Sequence, residues 1–291
     1  MLAQLSGVLV PLVTPFEPGE GQLAIRAFAD NIRAHLTAGC AGVVVAGSTG
    51  EAALLDDDER KRLLVAARDV VPSDRWLIAG VGAESTRQTI RRAIDASQLG
   101  ADAVLVVGPH YYPESSAPEA LLAHYRAVAD ASPAPVILYS IPKYMHYALP
   151  AAVVQALAQH PHIIGIKDSS GDAATLNRYL EAQSDTFSVL TGHGGSIARA
   201  YAAGVRGGIL AVALFVPQLV DAVIETPALQ ERLIPLAREI VGELGVPGVK
   251  SAMDEVGLYG GPLRPPLRSL GEPARMRVRQ LLDAVAAVNR P

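Results

Sequence analysis

The sequence has one cysteine, few aromatic residues and no excess of positive charge, and these shortages exclude several classes of protein. Cys40 alone forms no intramolecular disulfide, which indicates a reducing compartment. The 25 basic and 29 acidic residues leave a net charge of -4, so no basic surface for nucleic acid is expected. There is no uncharged apolar run of about 18 residues, as a membrane span needs, and no signal-like start. We therefore predict a cytoplasmic protein without nucleic-acid or membrane partners.

What the sequence does contain is an alternation of apolar runs and amphipathic segments. The apolar runs are short, rich in Val, Ile and Leu, and lack polar alternation, which is typical of parallel strands covered on both faces. The segments between them carry apolar residues at helical spacing, as in the stripe from Leu23 to Leu36. The predicted strands are Gly7–Val13, Gly42–Ala46, Trp76–Val81, Ala103–Val107, Val136–Tyr139, Ile163–Ile166, Phe187–Leu190 and Gly208–Val212.

Eight strand–helix pairs in this order predict an α/β protein with a (β/α)8 TIM barrel. An open doubly wound sheet is the alternative, but no Gly-x-Gly-x-x-Gly follows the first strand. After residue 214 only helices are predicted, with a break at Pro247: Phe215–Ile224, Leu229–Glu243, Val249–Val256 and Ala274–Val288. We predict a barrel domain over residues 1–225 and a C-terminal helical extension over residues 226–291, packed on the barrel.

In a TIM barrel the catalytic residues lie at the carboxyl ends of the strands, and two such residues carry reactive groups. Lys167 follows the sixth predicted strand, where the loss of hydration favours the neutral amine that attacks a carbonyl carbon. The alternative is that Lys167 only pairs with Asp168. Tyr139, on the neighbouring strand, is a candidate proton carrier, or alternatively caps the core with its hydroxyl bonded to the backbone.

Other polar loops give weaker signals. Ser48 and Thr49 lie in a glycine-rich turn that could bind an anion or be a plain loop. Glu51 and the acidic run Asp56–Glu59 are predicted to support helix N-termini rather than to act as a base or bind metal. Thr191–Gly195 could hold a phosphate.

The histidines give no functional signal of their own. His110, His146 and His193 are each predicted to be neither ligand nor acid, and no pair of histidines has zinc-ligand spacing. No metal is therefore expected.

Seven segments in order resemble the dihydrodipicolinate synthase/N-acetylneuraminate lyase family of Schiff-base aldolases. They run through nearly the whole chain: Val13–Phe16, Gly47–Glu51, Ala79–Gly82, Pro109–Tyr112, Leu138–Pro142, Gly165–Ser169 and Leu190–Gly192.

The resemblance implies that Lys167 forms an imine with pyruvate or a related 2-oxo acid, without a cofactor, and that Tyr139 transfers protons beside the imine. It implies that Ser48 or Thr49 links Tyr139 to Tyr112 of a neighbouring subunit, with Tyr111 stacked at that interface, in a homotetramer built from dimers. The Ser48–Thr49 turn is also expected to hold the carboxylate of the 2-oxo acid. The remaining predicted substrate-binding residues are Gly192, Ile209 and Tyr144.

The residues after Pro142 bear on the choice of aldehyde. Synthases of this family place an arginine two residues after this proline, where it binds a substrate carboxylate, whereas this chain has Tyr144. Lys143 is a candidate replacement for that charge. Further segments resemble the 4-hydroxy-2-oxoglutarate aldolase branch: Ala134–Pro142, Gln159–His162, Lys167–Asp172, Gly245–Lys250 and Tyr259–Pro266.

We therefore predict a class I aldolase that reversibly cleaves a 4-hydroxy-2-oxo acid, such as 4-hydroxy-2-oxoglutarate, to pyruvate and an aldehyde such as glyoxylate. The alternative enzyme is dihydrodipicolinate synthase, which condenses pyruvate with aspartate semialdehyde. Two alternatives belong to other classes: a non-catalytic 2-oxo-acid-binding protein, and a phosphate-sugar enzyme that uses Thr191–Gly195.

Overall fold

A closed parallel barrel forms the centre of the protein. The computed structural model describes residues 4–19 and 21–287. Within these residues eight strands pair in sequential order, and β1 closes the barrel against β8. The strands are β1 (Gly7–Pro11), β2 (Gly42–Val45), β3 (Trp76–Gly80), β4 (Ala103–Val107), β5 (Val136–Ser140), β6 (Ile163–Asp168), β7 (Ser188–Thr191) and β8 (Gly207–Ile209). The predicted TIM barrel is confirmed.

Helices surround the barrel and continue after it. They are α1 (Ile25–Thr37), α2 (Asp57–Arg68), α3 (Thr86–Gln98), α4 (Pro118–Ala131), α5 (Pro142–Met145), α6 (Ala151–Leu157), α7 (Ala173–Leu180), α8 (Ile197–Ala202), α9 (Pro217–Glu225), α10 (Gln230–Pro235), a π-helix (Leu236–Glu243), α11 (Gly245–Glu255) and α12 (Glu272–Ala287). No helix in the described ranges is long and apolar enough to span a bilayer.

The strands are apolar on both faces because side chains fill the barrel inside and helices cover it outside. All four residues of β2 and all five of β5 are buried. The residue pairing between β5 and β6 shifts near Val136, after which Tyr139 lies beside Lys167 and Ser140 beside Asp168. The shift therefore sets which polar side chains meet at the top of the barrel.

Two local predictions need correction. β6 continues through Lys167 and Asp168 because their backbones still pair with β5 and β7, although the apolar run ends at Ile166. Pro247 does not break a helix: it lies in the first turn of α11, where a missing N–H costs nothing. The break falls at Gly245, whose φ of 64° is left-handed.

The described residues after the barrel form helices, as predicted for the C-terminal extension. Their long segment between residues 229 and 243 changes from α-helix to π-helix after Pro235. The last predicted helix ends at Val288, which lies outside the described residues. The division of the chain at residue 226 stays a prediction.

Candidate active site

Lys167 lies at the top of the barrel, with its side chain buried. The residue is 5% exposed. Within the described residues no carboxylate approaches its Nζ to salt-bridge distance. Its Nζ lies 4.1 Å from the centre of the Tyr139 ring. An amine in this position, with no carboxylate partner among the described residues, is placed to attack the carbonyl carbon of a ligand bound in the barrel.

Asp168 does not pair with Lys167. Successive side chains of a strand point to opposite faces, and the Asp168 carboxylate accepts hydrogen bonds from the backbone N–H and the hydroxyl of Ser170, at 3.0 and 2.9 Å. Burial raises the pKa of Asp168, and the Ser170 bonds oppose that effect. The alternative in which Lys167 serves only as the partner of Asp168 is wrong.

Tyr139 is the second polar residue at this point of the barrel. It is 4% exposed, and it pairs with Lys167 in the β5–β6 ladder. Its hydroxyl forms no hydrogen bond with any other described residue. The alternative in which the backbone satisfies this hydroxyl is therefore wrong, and the group is available to a ligand.

The turn after β2 presents two more unpartnered hydroxyls. Ser48 and Thr49 begin a one-turn 3₁₀ helix, and neither side chain bonds to another described residue. The turn lies between two non-glycine residues with positive φ, Ala46 at 54° and Glu51 at 57°. Backbone in this region is strained and is held by its surroundings.

Glu51 is one of these surroundings, and the prediction for it was wrong. It does not support a helix N-terminus; it is 3% exposed, and its Oε1 lies 2.6 Å from the Nζ of Lys250 on α11. Its Oε2 accepts the backbone N–H of Arg264 at 2.9 Å. Lys250 also donates to the carbonyls of Thr14 and Pro262, both at 2.7 Å. Burial lowers the pKa of Lys250, and Glu51 opposes this shift.

The acidic run after this turn behaves as predicted. The Asp56 carboxylate accepts from the N–H of Glu59 at 2.8 Å, and the Asp56 N–H donates to the Glu59 carboxylate at 3.1 Å. The run caps α2. Among the described residues there is no group of three or more His, Cys, Asp or Glu side chains placed to hold a metal ion.

A cavity of about 460 Å³ joins the four candidate residues. Lys167, Tyr139, Ser48 and Thr49 all line it, and so do the predicted substrate-binding residues Gly192, Ile209 and Tyr144. The structure thus brings together all the predicted pocket residues of one chain.

Gly192 has a steric reason to be glycine. A Cβ at this position would lie 2.9 Å from Cε of Lys167 and would also collide with the hydroxyl of Ser169. Sequence reasoning did not select Ser169, which lines the cavity with an unpartnered hydroxyl. The available signal was its position two residues after Lys167, because alternate residues of an extended chain point to the same side.

Tyr111 and Tyr112 lie elsewhere in the single chain. Their rings form an edge-to-face pair 5.0 Å apart in the loop after β4. They are 74% and 65% exposed, and neither lines the Lys167 cavity. Two adjacent exposed tyrosines are unusual on a solvated surface. Their predicted role in a neighbouring subunit stays a prediction.

Of the three histidines considered, only His193 reaches the cavity. Its Nδ1 lies 2.9 Å from the Ser196 hydroxyl. Burial lowers the pKa of His193, so it adds no charge near neutral pH. The Nδ1 of His110 lies 3.1 Å from Glu84, and His146 is exposed after α5. The Thr191–Gly195 loop thus forms part of the wall of the Lys167 cavity.

The mouth of the cavity holds two cations, of which sequence reasoning found one. Lys143, on α5, donates to the Gly242 carbonyl at 2.6 Å. Arg238 lies on the π-helix, far in sequence from any barrel strand, and strand-end positions therefore did not indicate it. The side chains of Lys143 and Arg238 both line the cavity. Tyr144 lines the same cavity, and the centre of its ring lies 5.6 Å from the Nζ of Lys143. Burial and the neighbouring Tyr139 raise the pKa of Tyr144, so it supplies a neutral hydroxyl.

Within the described part of the chain, a buried amine without a carboxylate partner, an unbonded phenol and two unbonded hydroxyls line one TIM-barrel cavity. This combination defines the class of lysine-dependent carbon–carbon lyases. An imine on the lysine withdraws electrons, so that a bond one carbon away can break or form. Comparison with known proteins identifies the family. Residues 4–285 match the model of the dihydrodipicolinate synthetase family, and the chain belongs to that family. Its members are pyruvate-dependent lyases that act through a lysine Schiff base.

Individual relatives match over nearly their whole length. The 4-hydroxy-tetrahydrodipicolinate synthase of an Exiguobacterium species is 32% identical over 287 residues, which are 96% of this chain and 97% of the relative. The crystal structure of dihydrodipicolinate synthase from Bacillus anthracis superposes with a TM-score of 0.92 at 26% identity, covering 98% and 99% of the two chains. YagE of Escherichia coli K12, a family member solved with pyruvate, gives 0.90 at 29% identity, with the same coverage.

Proposed function

We propose that this protein is a class I aldolase that cleaves a 4-hydroxy-2-oxo acid reversibly to pyruvate and an aldehyde, with glyoxylate as the aldehyde of reference. The observation that carries the proposal is the unpaired Lys167 amine beside the free Tyr139 hydroxyl. The choice of substrate is supported by Tyr144, a neutral residue where synthases of this family place an arginine.

Lys167, Tyr139 and water together supply the nucleophile and the proton transfers that each proposed step needs. The Lys167 amine adds to C2 of the 2-oxo acid, and the Tyr139 hydroxyl gives its proton to the departing water, which leaves a protonated imine and the Tyr139 phenolate. The phenolate accepts the proton of the C4 hydroxyl while the C3–C4 electrons move into the imine, which releases the aldehyde and leaves an enamine. Tyr139 returns this proton to C3 of the enamine; water then adds to the imine, releases pyruvate and the neutral amine, and gives its remaining proton to the Tyr139 phenolate. The Ser48–Thr49 turn binds the C1 carboxylate.

A second candidate is the condensation of pyruvate with aspartate semialdehyde. It is supported by the name of the Exiguobacterium relative. Steady-state assays with glyoxylate and with aspartate semialdehyde, each with pyruvate, separate the two. We expect the higher kcat/KM with glyoxylate; a preference of about tenfold or more for aspartate semialdehyde, about 1.4 kcal/mol of transition-state binding, would select the synthase.

Loss of the Tyr139 hydroxyl is expected to separate imine formation from turnover. In Tyr139→Phe, kcat should fall by about 10²- to 10⁴-fold, the usual contribution of a positioned acid–base group. Borohydride should still trap the pyruvate adduct, since Lys167 is retained. Rapid-quench kinetics and intact-protein mass measure the two effects, and an unchanged kcat would refute the proton-transfer role.

The proposed assembly is a homotetramer of dimers in which Tyr112 of one subunit completes the relay of the next. Tyr112→Phe should then lower kcat by about tenfold or more without changing the sedimentation coefficient. Tyr111→Phe deletes the same group from the neighbouring ring and serves as the matched control, expected to retain kcat within about twofold. Equal losses in the two variants, or a monomer in sedimentation, would contradict this arrangement.

A further inference from the structure

The mouth of the Lys167 cavity carries a cluster of charged residues that the proposed chemistry does not use. Lys143 approaches from α5, on the β5 side, and Arg238 approaches from the π-helix of the C-terminal region. Both line the cavity together with Glu243. We call Lys143 and Arg238 the rim cations.

The carboxylates near the rim cations do not neutralise both of them. Glu239 accepts two hydrogen bonds from Arg277, at 2.8 and 2.9 Å, so Arg277 is its main partner. Arg238 reaches Glu239 with one nitrogen, at 3.2 Å. Its Nε lies 3.8 Å from Glu243, and both of these side chains are 65% exposed. Exposed pairs with this geometry contribute little energy and exchange readily for another anion.

Lys143 has no carboxylate partner within the described residues. Its ammonium donates to the Gly242 carbonyl at 2.6 Å, which satisfies one of three N–H groups and leaves the charge uncompensated. With Glu243 counted against Arg238, the mouth keeps a net positive charge. A cavity with such a mouth attracts an anion.

The π-helix explains how Arg238 comes to face the cavity. Pro235 has no N–H, and the backbone changes from α-helix to π-helix directly after it. The wider turn places residues four and five apart on one face, so that Arg238, Gly242 and Glu243 all line the cavity. Such π-helical turns occur frequently at functional sites.

We propose that the rim cations bind the distal carboxylate of a dicarboxylic 2-oxo acid whose C2 is held on Lys167. This inference rests on the proposed function, because the imine and the Ser48–Thr49 turn fix the opposite end of the substrate. Arg238 is a specificity-determining residue: its guanidinium can form two parallel hydrogen bonds to a carboxylate. Lys143 adds charge, and Tyr144 adds a hydroxyl donor.

The test measures imine formation and does not depend on aldol turnover. Borohydride trapping is followed by intact mass as a function of ligand concentration, with 2-oxoglutarate and with 2-oxopentanoate, which has the same chain length and no distal carboxylate. For the unmodified protein we expect half-maximal trapping at a concentration about tenfold lower for 2-oxoglutarate, the size of effect that a charge-assisted hydrogen bond gives.

The variants assign this preference to residues. Arg238→Gln should remove most of the preference by weakening 2-oxoglutarate alone, with 2-oxopentanoate changed by less than about twofold. Lys143→Met should remove a smaller part. Arg279→Gln makes the same charge change at an exposed arginine paired with Glu255, away from the cavity, and should keep the full preference. Equal urea midpoints show that the variants are folded.

Two results would overturn the inference: no preference for 2-oxoglutarate in the unmodified protein, or an unchanged preference in both Arg238→Gln and Lys143→Met. Pyruvate, trapped in parallel, keeps the two proposals distinguishable. If pyruvate forms no adduct, the proposed function fails; if pyruvate is trapped normally while the preference is absent, only the role of the rim cations fails.

Discussion

Replacing Lys167 by methionine is expected to abolish the borohydride-trapped pyruvate adduct and to lower kcat by about 10⁴-fold or more, as removal of a covalent nucleophile does in other enzymes. Methionine is close in length to lysine and apolar, and it suits a residue that is 5% exposed. The fold should therefore persist. Peptide mapping of the trapped unmodified protein should place the added mass on Lys167.

Lys143→Met is the matched control, because it makes the same substitution at another lysine lining the same cavity. It should retain the pyruvate adduct, since Lys143 lies at the mouth and lacks burial. An adduct that survives in Lys167→Met, or that maps to a different lysine, would disprove the assignment.

The largest effect on stability is expected at the Glu51–Lys250 pair. Lys250→Met leaves the buried Glu51 carboxylate without its cation, and removing one member of a buried pair typically costs about 3–5 kcal/mol. Urea denaturation should show a loss of this size. Arg279→Gln breaks an exposed pair with Glu255 and should cost less than about 1 kcal/mol.

The double variant Glu51→Gln/Lys250→Met tests the same pair without leaving one charge unpaired. It removes both charges, so it should be more stable than Lys250→Met alone, because no unpaired buried charge is left. A Lys250→Met variant within about 1 kcal/mol of the unmodified protein would contradict the expected cost of leaving the Glu51 carboxylate unpaired.

The barrel could be predicted from the sequence because its strands are buried on both faces and therefore appear as short apolar runs. The same signal underestimates a strand whose end is polar, and β6 continues for that reason through Lys167 and Asp168. Position at a strand end made Tyr139, Ser48 and Thr49 candidates, and the family resemblance supplied their predicted roles. These residues face a shared cavity because the carboxyl ends of all the strands meet at one end of the barrel.

Contacts between distant parts of the chain were beyond this reasoning. Glu51 looks like a helix-start residue, and nothing near it in sequence indicates that Lys250 on α11 is its partner. Arg238 was missed for a related reason: periodicity indicates a helix there, but not the π-helical geometry that turns this side chain toward the cavity. The exposed Tyr111–Tyr112 pair is visible in one chain, whereas its predicted contribution to a neighbouring subunit concerns the assembly and stays a prediction.

The position of Lys250 has a consequence for any attempt to isolate the barrel. A protein truncated after α9 would lose the cation that compensates Glu51, together with the helical wall that carries Arg238. Such a fragment would have all eight strands and Lys167, yet the turn proposed to bind the carboxylate of the 2-oxo acid would lie next to a buried carboxylate without its cation. We therefore expect the smallest active unit to consist of the barrel together with the C-terminal helices, so that a protein shortened to the barrel would lose activity.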